Sequence, residues 1–263
     1  IITFGRFFFA CAWLFTILVL QRKGQLIGKE FFGTFLLLGL TGVFLHNVLM
    51  YAGLEYITAS TASLIFAFIV VQVAIIDSII FRRIPRRNSV LGIMFSVLGI
   101  LIVVTDGEMV NLPSEELGWG ALLIFGSALS WAIYTVVSRR ALRAYSPLIV
   151  TTYASGVGLI LVTPFSLFSV DETIYIFTDT KSLLFLIFLG VVSSAITFIW
   201  HQQAVEKLGA LSTSIYLNLV PIFGILSAAI ILGENINQFV ILGGLFVFLG
   251  IILVNTASES VNG

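Results

Sequence analysis

The chain has 263 residues, of which 59% are hydrophobic and only 10% are charged, and its formal net charge is zero. A soluble domain of this length needs far more charged side chains to cover its surface, so the composition excludes an ordinary soluble protein. With a mean hydropathy of +1.12, the chain is predicted to lie in a lipid bilayer. The balanced charge gives no reason to expect a nucleic-acid partner.

Nine apolar segments are long enough to cross a bilayer as helices, since about 20 residues span its hydrocarbon core. Short clusters of charged and turn-forming residues separate them, and none of these connections has the length of a soluble domain. The sequence therefore predicts a single all-α polytopic membrane domain. In chain order, the predicted helices lie at about residues 3–20, 31–51, 60–81, 88–105, 118–138, 148–168, 182–203, 211–232 and 237–255.

The chain also contains an internal repeat. Residues 51–105 align on residues 202–256 with a constant shift of 151 and no gap. A duplication of apolar helices at this scale is typical of secondary transporters. Matched pairs under this shift include Glu55 and Glu206, Ala59 and Ala210, Ser63 and Ser214, Gly99 and Gly250, and Thr105 and Thr256.

The repeat divides the chain into two homologous parts, residues 1–105 and residues 118–256. The helix at 3–20 then pairs with the helix at 148–168, but no segment precedes it to match the helix at 118–138. We therefore expect a ten-helix fold of two five-helix repeats, from which this chain lacks the first helix. Because five helices separate equivalent positions, the two repeats are expected to be inverted in the membrane.

The loops predict the orientation, since Lys and Arg accumulate on the cytoplasmic side of a membrane. Counting alternate loops, one side carries eleven of the thirteen basic residues, including those within 82–87 and 139–143. We expect this side to be cytoplasmic, which places the C-terminus there. Arg6 lies near the opposite membrane edge, where it is predicted either to reach lipid headgroups or to anchor its helix.

Six stretches of the sequence carry a family resemblance: Ala52–Ser63, Ala204–Ser214 followed by Leu219–Pro221, Leu232–Glu234, Gly243–Ile251, and Ser130–Tyr134 ahead of Arg139 and Arg140. They resemble EamA-type members of the drug/metabolite transporter superfamily, and the resemblance covers essentially the whole chain. It implies ten transmembrane helices in two inverted repeats around a central cavity. It also implies export of an amino acid or other small metabolite across the plasma membrane, in bacteria the inner membrane.

Polar side chains at membrane depth indicate a cavity or a partner, because lipid solvates them poorly. The helix at 182–203 and its repeat partner at 31–51 each carry such side chains, including one histidine each. We predict that they line the substrate cavity, where a neutral histidine can exchange hydrogen bonds or take up a proton. The alternative is a histidine satisfied by a neighbouring helix or by headgroups. The residues are Ser194, Thr197 and His201 on one predicted stripe with Trp200 beside it, and His46 and Asn47 on the partner helix.

Pro221 lies inside the helix at 211–232 and cannot donate a hydrogen bond to the carbonyl of Leu217, so a kink or loosened turn is predicted there. Asn218 and Ser214 share the face of Pro221. Together they predict a polar patch for substrate. The alternative is a packing kink in which Asn218 bonds to a neighbouring helix.

Trp131 and Tyr134 lie three residues apart on the helix at 118–138. At this spacing the two side chains are neighbours on one helix face. They are predicted to form an aromatic wall of the cavity, and the alternative is ordinary packing between helices.

Motifs of enzymes are absent from the sequence: it has no Gly-x-Ser-x-Gly elbow, no His-Glu-x-x-His and no phosphate loop. Two histidines and the single cysteine, Cys11, make no metal set. We therefore predict no enzyme and no cofactor, and transport driven by a proton gradient or by the gradient of the substrate itself. The expected partners are the lipid bilayer, a small-molecule substrate and a coupling proton. The alternative function is that of a membrane assembly partner that transports nothing.

Overall fold

The computed structural model describes residues 2–21, 25–82, 85–104, 118–167, 177–232 and 238–259. Within these ranges the chain forms nine helices, and no strand occurs there. The helices are α1 (Ile2–Leu20), α2 (Lys29–Leu54), α3 (Ala59–Ala67 and Ile69–Phe81), α4 (Arg87–Val104), α5 (Trp119–Leu142), α6 (Pro147–Ser166), α7 (Thr180–Leu208), α8 (Ala210–Ile215, Tyr216–Asn218 and Leu219–Leu232) and α9 (Gln238–Glu259).

Seven of the described helices are long and apolar enough to cross a membrane, namely α1, α2, α3, α5, α6, α7 and α9. The other two, α4 and α8, contain shorter apolar helices at Arg87–Val103 and Ala210–Phe223. Each predicted segment coincides with one of the nine helices. The predicted all-α polytopic membrane fold is confirmed.

Two helices begin at capping residues that are visible in the sequence. Asp179 precedes α7 and its carboxylate accepts a 2.9 Å hydrogen bond from the backbone N–H of Ser182. Ser146 precedes α6, whose first residue, Pro147, has no N–H that needs a partner. Such caps satisfy backbone donors that the first turn of a helix leaves free, and thereby fix where each helix starts.

The helices group into two compact units. Unit 1 comprises Ile1–Val48 and Ile133–Lys207, and unit 2 comprises Leu49–Ala132 and Leu208–Gly263. Each unit therefore draws helices from both halves of the chain. These two units are defined by contacts in space. The two repeats, residues 1–105 and 118–256, are defined by the sequence duplication instead, and that division stays a prediction.

Within unit 2, helices α4 and α9 cross in direct backbone contact. A Cβ atom added to Gly92 would lie 2.6 Å from the carbonyl oxygen of Gly250, and one added to Gly99 would lie 2.5 Å from that of Gly243. Glycine is required here because the two backbones touch. The earlier glycine of α4 meets the later glycine of α9, so the two helices run antiparallel. Under the shift of 151, Gly92 corresponds to Gly243 and Gly99 to Gly250, so each of the two contacts is the counterpart of the other. The crossing is thus the same contact made twice, as expected for inverted copies of one helix.

Apolar side chains fill unit 2 around this crossing. Val70, Ile100, Ile215 and Val247 are completely buried, and they belong to four different helices. Close contact between helices is what holds membrane helices together, because lipid offers no hydrophobic drive for their association.

Unit 1 is built on a second pair of equivalent contacts. A Cβ atom on Gly39 of α2 would lie 2.5 Å from Val157 of α6, and a Cβ atom on Gly190 of α7 would lie 2.7 Å from Phe9 of α1. Gly39 and Gly190 are equivalent under the shift of 151. Helix α2 therefore meets α6 in the way that α7 meets α1.

Candidate functional site

Both α2 and α7 are interrupted by a π-helical segment, at Gly39–Leu45 and at Leu189–Ile196. The shift of 151 places residues 39–45 on residues 190–196, so the two segments are equivalent. π segments are rare, they bond each N–H to the carbonyl five residues earlier, and they occur often at functional sites. Hydropathy alone does not reveal them, and the sequence analysis missed both.

The buried face of α7 runs through the π segment into the α-helical part that follows. The buried residues are Gly190, Ser194 and Ala195 in the π segment and Phe198, Gln202 and Val205 after it. After the π segment, the spacing of three or four residues is that of one face of an α-helix.

The three residues of the predicted stripe differ in burial. Ser194 is buried and His201 half-buried, but Thr197 is exposed, and its hydroxyl donates a 2.9 Å hydrogen bond to the carbonyl of Val192 in its own helix. Trp200 is 66% exposed. A substrate role for this stripe stays a prediction.

Four polar side chains meet inside unit 1, and we call Tyr134, Thr135, His201 and Gln202 the polar cluster. The rings of Tyr134 and His201 stack with centroids 6.1 Å apart and planes inclined by 22°. His201 Nε2 lies 3.5 Å from Thr135 Oγ1, and the Gln202 side chain lies beside the Tyr134 hydroxyl. Tyr134, Thr135 and Gln202 are completely buried. The cluster places hydrogen-bonding groups at membrane depth in the protein interior.

Aromatic packing and one glycine hold Tyr134 in place. The ring of Phe198 lies 6.0 Å from that of Tyr134 and meets the ring of Phe7 edge-on at 5.7 Å. On the other side, Gly42 of the α2 π segment touches the Tyr134 ring so closely that a Cβ atom there would overlap it. The absence of a side chain at Gly42 makes room for the cluster.

Gln202 is the member of the cluster that the sequence analysis missed. It is 0% exposed, and neither its amide nitrogen nor its amide oxygen makes a hydrogen bond of good geometry, although the Tyr134 hydroxyl lies beside it. An unsatisfied buried polar group costs about 1–3 kcal/mol and calls for a specific explanation. The signal was its position four residues after Phe198 and eight after Ser194, because this spacing places it on the same helix face.

Arg6 supports the buried face of α7 from α1. Its Nε and Nη2 donate to the hydroxyl of Ser194 at 3.2 and 3.1 Å, and its guanidinium carbon lies 5.9 Å from the centre of the Phe7 ring. Of the two predicted roles, this geometry agrees with that of a helix anchor. The hydrogen bonds join α1 to the π segment of α7.

His46 and Asn47 lie in unit 1, directly after the π segment of α2. His46 is half-buried and Asn47 is 2% exposed. Asn47 Nδ2 donates a 2.7 Å hydrogen bond to the carbonyl of Val43, four residues earlier. The amide of Asn47 is thus bonded within its own helix, and a substrate role for either residue stays a prediction.

The two aromatic residues of α5 fall into different units. Tyr134 belongs to unit 1 and Trp131 to unit 2. Trp131 is 9% exposed, so both rings are well buried. The aromatic cavity wall proposed from their spacing stays a prediction.

Ser214 and Asn218 lie in α8 of unit 2, and protein groups satisfy both. The Ser214 hydroxyl donates 2.8 Å to the carbonyl of Leu211. Asn218 Nδ2 donates 2.8 Å to the hydroxyl of Ser96 on α4, and this bond is buried. For Asn218 the structure therefore matches the alternative of a bond to a neighbouring helix.

The loosened turn predicted near Pro221 is present as the 3₁₀ segment Tyr216–Asn218. Helix α3 is interrupted too, at Phe68, although it has Val70 where α8 has Pro221. The shift of 151 places Phe68 on Leu219, directly after the 3₁₀ segment. Both copies therefore break at one place, and proline is not the only cause.

Paired helices related by one shift, and a polar cluster at membrane depth, define a polytopic membrane protein of the transporter class. The chain belongs to the EamA-like transporter family, whose model matches residues 1–105 and 118–256. The resemblance inferred from the sequence motifs is thereby confirmed. This is a family of transporters.

Two relatives illustrate the range of the family. YyaM of Bacillus subtilis, an uncharacterized transporter, is 30% identical over 251 residues, which are 94% of this chain and 81% of YyaM. A protein of Streptantibioticus cattleyicolor described as a probable terminal-alkyne amino-acid exporter is 24% identical, over 83% of this chain and 71% of its own length.

The fold also matches a solved crystal structure. The TM-score is 0.77, and the match covers 98% of this chain and 87% of the other at 14% sequence identity. At that identity, the match concerns the fold alone.

Proposed function

We propose that this protein is a secondary transporter that exports a small polar metabolite or amino acid by alternating access. Family membership supports transport, and the Streptantibioticus cattleyicolor relative supports an amino acid as cargo and export as direction. The observation that carries the proposal is the polar cluster of unit 1. Polar groups in a membrane interior are costly, and transporters place them where substrate binds.

The proposed location is the cell membrane, with the C-terminus in the cytoplasm. The distribution of Lys and Arg among the loops supports this orientation. Fusing green fluorescent protein or alkaline phosphatase to the C-terminus tests it, because the first fluoresces after cytoplasmic folding and the second is active outside. A C-terminal phosphatase fusion with high activity contradicts the orientation.

The transport proposal is tested by efflux. Cells with and without the protein are loaded with radiolabelled amino acids and small metabolites, and loss of label is followed over time. We expect at least one compound to leave faster from cells that contain the protein. The double variant His46→Ala/His201→Ala, expressed at the same level in the membrane, is expected to slow this efflux. If no compound distinguishes the two kinds of cell, the transport proposal is wrong.

The same assay identifies the driving force. Efflux is measured with and without a pH gradient imposed across the membrane. A proton-coupled exporter responds to the gradient, whereas a carrier driven by the substrate's own gradient does not. Loss of the pH response in the double histidine variant would assign the coupling proton to these side chains.

A further inference from the structure

The burial of Gln202 has a free-energy cost that an apolar residue at the same position would avoid. Its side chain is 0% exposed within a membrane-spanning helix. Neither end of its amide makes a hydrogen bond of good geometry, and the neighbouring Tyr134 hydroxyl can satisfy one end at most. Leaving an amide without partners costs more in apolar surroundings than in water. A methionine would fill the same space without this penalty, so the amide points to a group that is not part of the chain.

We infer that Gln202 binds the transported molecule through its side-chain amide. The inference further states that the matching group on that molecule is neutral and carries a donor and an acceptor side by side, as a carboxamide does. This inference rests on the proposed transport function and names the chemistry of its substrate. The sequence motifs and the relatives assign no role to Gln202.

The chemistry of the amide selects among possible substrate groups. Its NH2 donates and its C=O accepts, and the two lie next to each other. A carboxylate would set an acceptor against the amide oxygen, and an ammonium group would set a donor against the NH2. A carboxamide satisfies both ends at once. The adjacent hydroxyl of Tyr134 can donate or accept a further bond.

The surroundings of Gln202 suit a planar polar group. The stacked rings of Tyr134 and His201 lie next to it, and Phe198 is one turn earlier on the same buried face. Aromatic faces pack well against flat groups. Gln202 is closed to solvent in this conformation, so the substrate reaches it in a different state of the transport cycle, as alternating access requires.

The test uses the purified protein in lipid nanodiscs, with L-asparagine and L-leucine as probes. These two amino acids have side chains of similar size and shape, but only asparagine carries a carboxamide. Binding of both is measured by calorimetry for the wild type, for Gln202→Met and for the matched control Gln203→Met. Gln203 is the neighbouring residue on α7 and is exposed.

We expect the wild type to bind asparagine at least about tenfold more tightly than leucine, the effect of one or two well-made hydrogen bonds. Gln202→Met is expected to abolish this preference and to raise the melting temperature, because it removes an unpaired buried amide. Gln203→Met is expected to keep the preference. Gln202→Glu, which preserves shape but replaces the NH2 donor, is expected to lose it and serves if Gln202→Met does not fold.

The outcomes separate this inference from the proposed function. If Gln202→Met retains the preference, the inference is overturned. A lower melting temperature with unchanged preference overturns it too and assigns the amide to buried water. If the wild type transports other compounds but shows no preference between the probes, the inference falls and transport stands. If the wild type exports no compound in the efflux panel, the proposed function itself fails.

Discussion

The two units bury their polar groups in different ways. In unit 2, the hydroxyl of Ser214 bonds within α8 and the amide of Asn218 bonds to Ser96 across the α8–α4 contact. In unit 1, Tyr134 and His201 stack beside Gln202, whose amide makes no hydrogen bond of good geometry. Unit 2 thus uses polar groups to join helices, whereas unit 1 holds them in an interior cluster.

The helices of the two units differ in regularity as well. In unit 2, α4 and α9 are uninterrupted and touch through their backbones at two equivalent glycine pairs. In unit 1, α2 and α7 each carry a π segment next to polar residues. One residue of unit 2 departs from this contrast: Gln72 is also buried, and both of its amide atoms lack a hydrogen-bond partner. The difference nevertheless predicts that damage to unit 2 reduces the amount of folded protein, while damage to unit 1 reduces transport by folded protein.

The largest expected effect comes from Gly243→Ala at the α4–α9 crossing of unit 2. The new methyl group would overlap the carbonyl of Gly99 and lie 2.5 Å from a methyl group of Val103. Overpacking of this kind destabilises by about 1–3 kcal/mol. Thermal unfolding in detergent measures the loss, and export per folded molecule is expected to stay unchanged.

Gly244→Ala is the matched control, one residue further along α9. Apart from its own helix, no heavy atom of the described residues lies within 4 Å of the position that its Cβ would take. Alanine favours helix over glycine by up to about 1 kcal/mol, so this variant is expected to be as stable as the wild type or more so. Equal destabilisation by the two variants would contradict the close crossing.

Gly42→Ala is the corresponding test of unit 1. The added methyl group overlaps the ring of Tyr134 and is expected to move that ring away from His201. We expect export per folded molecule to fall about tenfold, which corresponds to about 1.4 kcal/mol. Efflux normalised to folded protein in the membrane measures it. Gly33→Ala, on the same helix with no described atom outside that helix within 4 Å of its Cβ position, should leave efflux unchanged, and a similar loss in both variants refutes the proposed role of Gly42.

The fold could be predicted from the sequence to a large extent because its determinants are periodic. A run of about 20 apolar residues is enough to predict a membrane-spanning helix. The constant shift of 151 predicts the duplication without knowledge of any contact. The shift pairs Gly99 with Gly250 and, in the same way, Gly92 with Gly243. Their reciprocal contacts then follow from antiparallel packing of two copies of one helix.

The candidate site was harder to predict because it depends on local deviations from periodicity. The pattern of apolar residues shows neither the π segments of α2 and α7 nor the burial of Gln202 beside the half-buried His201. No residue type marks such a segment in the way that proline marks a kink. Hydrogen-bond partners such as Ser96 for Asn218 depend on which helices pack together, which periodicity does not state.

A smaller effect is expected at the bond between Asn218 and Ser96. The variants Asn218→Ala and Ser96→Ala, alone and combined, form a double-mutant cycle whose coupling energy isolates this bond. Side-chain hydrogen bonds between membrane helices average about 0.6 kcal/mol in such cycles, and we expect a value of that size. Chemical denaturation in mixed micelles measures it. A substrate preference that changes in Asn218→Ala would instead favour the polar patch predicted from the sequence.

The smallest effect is expected for Thr197→Val on α7. Thr197 is exposed, and its hydroxyl donates a 2.9 Å hydrogen bond to the carbonyl of Val192 in the same helix. Replacing it with valine should therefore change the free energy of unfolding by less than about 0.5 kcal/mol. If Thr197 lined the cavity together with His201, as the sequence predicts, valine would reduce efflux. Because its hydroxyl is exposed and bonded within its own helix, we instead expect efflux by Thr197→Val to equal that of the wild type. Comparison with Gln202→Met in the same efflux assay shows which of the two positions contacts the substrate.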